Sequence, residues 1–267
     1  MPRAIRWMLL TFVLACLVRP LPAPPPESRA AEDILKAFVD DFRSDQAAAA
    51  PCVFAVSVKG AAEPDWHVVV AGRKDAAGRY EVALEKGLPA KPTFVYVTDA
   101  ATLGKIDRGE MNALTAMGKA RESDAAPMDV TVMPGFEPNE DFVTMFLPLT
   151  FHFWTRGFPE IVNFDEAKGR EVHGATMVVF YYQKGLRSGW GQIRKGQHVN
   201  ADPRDQVNPF PAMFIGLRGR AVGKIGGNEK VLGQGQMVFV PPGTTHEFWN
   251  PYEEPAEFIV LMFGDGA

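Results

Sequence analysis

Residues 233–251 read GQGQMVFVPPGTTHEFWNP. Within them Gly235, Pro241, Gly243, His246 and Asn250 stand at the spacing G-x5-P-x-G-x2-H-x3-N. Met237 to Val240 is a short apolar run with strand character, and Pro241-Pro242-Gly243 forces a turn after it. A second strand then starts at His246, where an imidazole can point into a barrel. Further strand-like segments surround this stretch, at 175–182, 191–195, 212–217, 220–225, 231–232 and 258–263. Turn residues punctuate them regularly, which predicts an all-β sandwich or barrel from about residue 158 to the end.

The run from Gly219 to Phe263, with a hairpin at Gly226-Gly227-Asn228, resembles the second half of a cupin, a small jelly-roll β-barrel. The resemblance implies a metal centre in which this histidine joins a His-x-His and a glutamate from a first motif. Such a donor set suits Fe, Mn, Ni, Cu or Zn and leaves positions open for substrate. Here the first motif is degraded. Counting back from Gly219 places Ala212 at the glutamate and Gln206 and Asn208 at the two histidines. Counting forward from Gly196 gives Asp202 and Arg204 instead. His198 is the one histidine of this half-motif, so the candidate metal ligands are His246 and His198, helped by Asp202 or Asp205. The alternative is that His246 is simply hydrogen-bonded inside the barrel or at its mouth. His67 is expected on the surface of a strand, and neither His152 nor His173 has a partner at ligand spacing.

The first half reads as α+β, with a mixed sheet and helices. Leu35, Phe38, Val39 and Phe42 recur at i, i+3, i+4 and i+7 of a helix. Strands follow at 53–58, 66–71, 80–84 and 93–98, and Asp99 is placed to cap a short helix carrying Leu103 and Ile106. A further helix is expected to place Met111, Leu114 and Met117 on one face and to stop at Gly118. The segment TFVYVTDAATLGKIDRGEMNALTAMGKARESD, with Trp66 in DWHVVVAG, resembles the sterol-carrier-protein type of lipid-transfer domain over about residues 30–155. That resemblance implies a strand at Gly118-Lys119. It also implies an apolar tunnel between a five-stranded sheet and its helices, holding a fatty-acyl or sterol-like ligand. Phe94, Leu103, Met111, Leu114, Met117, Phe142, Phe146 and Leu149 are its candidate lining. The stretch 141–154, DFVTMFLPLTFHFW, is apolar nearly all round and must be buried or line a cavity. It is read as a closing helix with Pro148 as a kink and Gly157 as a stop, or as a core helix shared with the second domain.

Domains are thus expected at 31–157 and 158–267, after an export segment at 1–30. Arg3 and Arg6 precede the apolar run Trp7 to Val18, and no acidic residue appears before Glu27. The chain is therefore expected to be exported, either periplasmic after cleavage or tethered to a membrane through Cys16 in a lipobox-like Val13-Leu14-Ala15-Cys16. A mis-assigned start would make it cytoplasmic instead. LPAPPP at 21–26 is a stiff linker. With two cysteines no disulfide framework arises, and Cys52 is expected to be a small buried thiol. The net charge of −4 carries no basic footprint, so nucleic acid is not an expected partner. No phosphate loop, nucleophile elbow or Cys-His pair is present. The function expected is binding of a hydrophobic small molecule, with the barrel as a second binding or homodimerisation module. The alternative is a metal-dependent cupin dioxygenase or isomerase.

Overall fold

The computed structural model describes residues 29–44 and 50–267, so the expected export segment and linker lie outside the described residues. The chain begins with α1 (Ala31–Phe42), whose apolar stripe Ile34, Leu35, Phe38, Val39 and Phe42 is buried. Next come β1 (Cys52–Lys59), β2 (Asp65–Lys74), β3 (Tyr80–Lys86), β4 (Phe94–Asp99), α2 (Ala100–Asp107), α3 (Ala113–Met117), β5 (Asp129–Val132) and α4 (Glu140–Trp154). The five strands form one mixed sheet in the order β3-β2-β1-β4-β5, with β1 and β4 parallel. Asp99 caps α2 as its sequence implies, its side chain accepting from the Thr102 N–H at 2.8 Å.

Three local expectations are corrected. α3 starts at Ala113, so Met111 lies before it; the Asn112 side chain accepts from the Thr115 N–H at 2.7 Å and fixes the helix start there. Gly118-Lys119 is not a strand, and the fifth strand is Asp129–Val132. Gly118 instead gives its carbonyl to the Arg170 guanidinium, which ties this backbone to the second half, and Lys119 pairs with Asp129 of the first half at 2.7 Å. His67 is buried rather than on the surface, with Nδ1 2.8 Å from the Gly87 carbonyl and Nε2 3.2 Å from Glu85. Cys52 is half-buried at the edge of the core, and burial pushes its thiol up to about 11.

α4 explains its own composition. It runs through Pro148 to Trp154. One face packs Phe142, Phe146 and Phe153 onto the aromatic side of the sheet, where Phe94 meets Phe142 at 5.1 Å and Phe146 at 5.5 Å between centroids. Another side turns to the second half, with Phe151 4.9 Å from Tyr181. A helix between two hydrophobic layers has little need of a polar face. Among the described residues, no helix is long and apolar enough to cross a membrane.

The second half is all β: β6 (Arg170–Val172), β7 (Ala175–Gln183), β8 (Leu186–Ile193), β9 (His198–Val199), β10 (Ala212–Arg218), β11 (Arg220–Ile225), β12 (Asn228–Gly233), β13 (Met237–Val240), β14 (His246–Trp249) and β15 (Ala256–Phe263). A six-stranded sheet, β13-β10-β15-β8-β7-β6, faces a four-stranded sheet, β12-β11-β14-β9. Phe214, Phe248, Phe258, Val240 and Val260 lie in the core between them. Two hairpins turn through pairs of residues with positive φ, Gly226-Gly227 and His173-Gly174, as type I′ hairpin loops require. At Gly174 a Cβ would sit 2.2 Å from the His198 carbonyl oxygen, so only glycine fits.

The halves join at an irregularity in β7 between Val179 and Tyr181. Asn112 Nδ2 donates to the Val179 carbonyl at 2.8 Å, and the Val179 N–H donates to Thr115 Oγ1 at 2.8 Å. Two side chains of the first half thereby take the place of a ladder partner. Arg121 adds ion pairs at 2.7 Å to both Asp202 and Asp205.

Candidate functional site

Strand alternation decides which side chains face the barrel interior. In the six-stranded sheet, Val179, Gly189, Val260 and Phe214 form one cross-strand row. Tyr182, Arg187, Met262 and Ala212 form the next. Across the interior, His246 and Phe248 of β14 are buried while Glu247 and Trp249 between and beyond them are only partly covered. The Phe214 ring lies 5.9 Å from the His246 ring and 4.5 Å from that of Phe248.

These side chains border a cavity of about 440 Å³, in the range of small-molecule sites. Its walls include Met177, Val179, Phe214, Phe258, Val260 and Met262. Its roof comes from the first half: Leu114 and Met117 of α3, the backbone of Gly118 to Ala120, and Leu147 of α4. The cavity is therefore a property of the junction as much as of the barrel.

His246 is its polar centre. Nδ1 lies 3.2 Å from the Thr244 carbonyl, which can only accept, so Nδ1 carries the proton. Nε2 is then the acceptor, with Asn208 Nδ2 at 3.5 Å. Burial holds the imidazole below the usual histidine range, and nearby His173 acts in the same direction. A neutral imidazole at the cavity wall accepts a hydrogen bond from whatever occupies it.

The other sequence candidates separate. His198 is opposite Trp249 on β9, half-exposed on the outward face, with Nε2 2.8 Å from Glu247. The structure does not bring it to His246. Asp202 is tied to Arg204 and to Arg121 at 2.7 Å, and these guanidiniums hold its carboxyl well below the usual carboxylate range. Asp205 borders the cavity with its carboxylate taken by Arg121. Of the two registers for the degraded motif, the count from Gly219 is the one that places a residue beside His246, namely Asn208. Sequence reading missed His173, whose left-handed backbone puts it on the cavity rim with Nδ1 4.0 Å from Asp205. It also missed Arg187 as an inward residue, because Gly189, Gly191 and Ser188 dilute the strand signal there.

The tunnel candidates divide as well. Phe94, Leu103 and Leu149 are buried in the first-half core, and Phe142, Phe146 and Met111 pack against it. Phe94 alone meets Phe54, Tyr96, Phe142 and Phe146 at 5.1 to 5.8 Å, so aromatic rings pack closely around it. Leu114 borders the barrel cavity instead, and Met117 borders it while also packing against the first-half core.

Among the described residues, no three His, Cys, Asp or Glu side chains converge as a metal site. The donor set beside His246 is unlike that of a transition-metal centre, since its Nε2 faces the Asn208 amide.

A family model described as "Cupin domain" matches residues 193–262. Similar solved structures include a cupin 2 conserved barrel domain protein from Salinispora arenicola CNS-205 (19% identity, 39% of this chain and 88% of that one, TM-score 0.35). A protein from Photorhabdus luminescens shares 15% identity over 39% of this chain and 87% of its own, with TM-score 0.35. A protein described as a predicted oxalate decarboxylase from Thermotoga maritima shares 16% identity over 33% and 79%, with TM-score 0.31. No curated protein matches the chain. The family match runs from the end of β8 into β15 and takes in His246, Asn208 and Phe214, so the chain carries a C-terminal cupin domain.

Proposed function

We propose that the protein binds a small, largely apolar organic molecule in the barrel cavity, beneath a roof supplied by its first half. The observation that carries this reading is the meeting of apolar walls, the His246 acceptor and the Leu114–Met117 roof around one volume of about 440 Å³. Apolar contact would supply the affinity, and the His246–Asn208 pair would orient a hydroxyl or N–H of the ligand. The five-stranded mixed sheet crossed by α4 supports reading residues 31–157 as a sterol-carrier-type fold. Its packed aromatic interior moves the ligand-holding role to the junction with the barrel. The amide beside the His246 imidazole favours a binding module over a metal-dependent enzyme.

Native mass spectrometry of purified protein, with organic extraction, tests this reading together with elemental analysis. A bound organic molecule that is lost in His246→Ala is expected, with less than about a tenth of an equivalent of transition metal. Near-stoichiometric metal that disappears in His246→Ala would overturn the reading in favour of the enzyme.

A further inference from the structure

Arg187 is a charged residue on the inner face of a barrel sheet. It sits in register between Tyr182 of β7 and Met262 of β15, and it borders the same cavity as His246. Its guanidinium lies over the rings of Phe210, at 4.9 Å, and Tyr182, at 5.4 Å. Nη2 donates to the Gly266 carbonyl at 3.2 Å. Among the described residues, no carboxylate pairs with it. The other cations that border the cavity are matched: Arg204 by Asp202 at 2.6 Å, and Lys119 by Asp129 at 2.7 Å. Asp205, the bordering carboxylate, is matched by Arg121 at 2.7 Å. Both bordering histidines are biased toward the neutral form by burial.

One unit of positive charge is thus left over at the border of the cavity, on a partly buried side chain. Stacking on two rings and the bond to Gly266 hold the guanidinium at that border. A guanidinium also offers a planar fork of N–H donors that fits a carboxylate bidentately. We infer that the cavity takes a monocarboxylate with an apolar body, its carboxylate on Arg187 and a hydroxyl or N–H given to His246. The assignment rests on the cavity reading above and names the ligand's class. A single surplus charge matches a carboxylate monoanion, whereas a phosphate dianion would bring a second, unmatched charge into the barrel.

The test is calorimetric titration of the full chain with 4-hydroxycinnamate, 4-phenylbutyrate and octanoate, each beside its methyl ester. Wild type is expected to bind at least one acid about tenfold or more tighter than its ester, equivalent to ~1.4 kcal/mol. Arg187→Met should remove the difference by weakening the acid alone. Arg187→Lys, which keeps the charge, should retain part of the preference and guards against a folding defect in the first variant. Equal binding of acid and ester by wild type, or a preference that survives Arg187→Met, would overturn the carboxylate assignment and leave the cavity reading standing. Failure of all six compounds to bind would overturn both.

Discussion

Asn112 does two things at once, and its replacement measures how firmly the roof is held. Its Oδ1 caps α3 through the Thr115 N–H, and its Nδ2 satisfies the Val179 carbonyl in the interrupted part of β7. Asn112→Ala removes both. Loss of an N-cap costs about 1 kcal/mol. Leaving a part-buried carbonyl without its donor costs about 1–2 kcal/mol more. The sum is about 2–3 kcal/mol. Asn112→Ser keeps a good cap but is too short to replace the amide donor, so it should cost only the second part. Urea unfolding followed by tryptophan fluorescence suits the question, because Trp66 and Trp154 report the first half and Trp190 and Trp249 the barrel. A loss below about 0.5 kcal/mol in Asn112→Ala, within the range of ordinary surface changes, would refute the bonding argument. Equal losses in the Ala and Ser variants would show that only the bond to the Val179 carbonyl matters.

Other outcomes follow from the same structure. Phe94→Ala should destabilise by about 3–5 kcal/mol, as expected for a buried aromatic, while leaving ligand affinity in the folded protein unchanged. A weakened ligand would return Phe94 to the binding site. Gly174→Ala should cost about 3 kcal/mol or more, since it combines a positive φ with a contact on the His198 carbonyl, and a thermal melt measures it. Stability should fall on acidification. The unfolded chain takes up protons near the ordinary histidine value of 6.5, whereas burial keeps folded His246 and His173 neutral to lower pH. The unfolded state therefore binds more protons, and stability declines as pH falls through that window. Melting temperatures at about pH 7.5 and about pH 5.5 check this, and His246→Asn should show a smaller drop than wild type.

Much of the fold is legible in the chain, because most strands of the barrel are rich in β-branched or aromatic residues and bounded by turn residues. Gly226-Gly227 announces its hairpin, and the spacing from Gly235 to Asn250 places His246 at a strand start. What is hidden depends on partners distant in sequence. β9 is two residues long, too short to show the alternation that turns His198 outward. Asn208 lies in a loop, and only its approach to His246 gives it a role. Apolar periodicity marks Leu114 and Met117 as buried, but it cannot say against which half. The all-apolar character of α4 has the same origin, since the sequence of a helix does not record how many layers enclose it. Arg187 is concealed by its own neighbours, whose glycines and serine weaken the strand pattern.

The roof of the cavity has a consequence for how this protein can change. Leu114 is buried, yet it is in neither the aromatic core of the first half nor the core of the barrel. Its surroundings are the cavity, so an exchange of side chain there alters the shape offered to a guest while leaving both cores intact. Walls and ceiling are encoded in separate stretches of the sequence. Selectivity for the guest can thus drift in one segment while the charge-bearing barrel stays as it is.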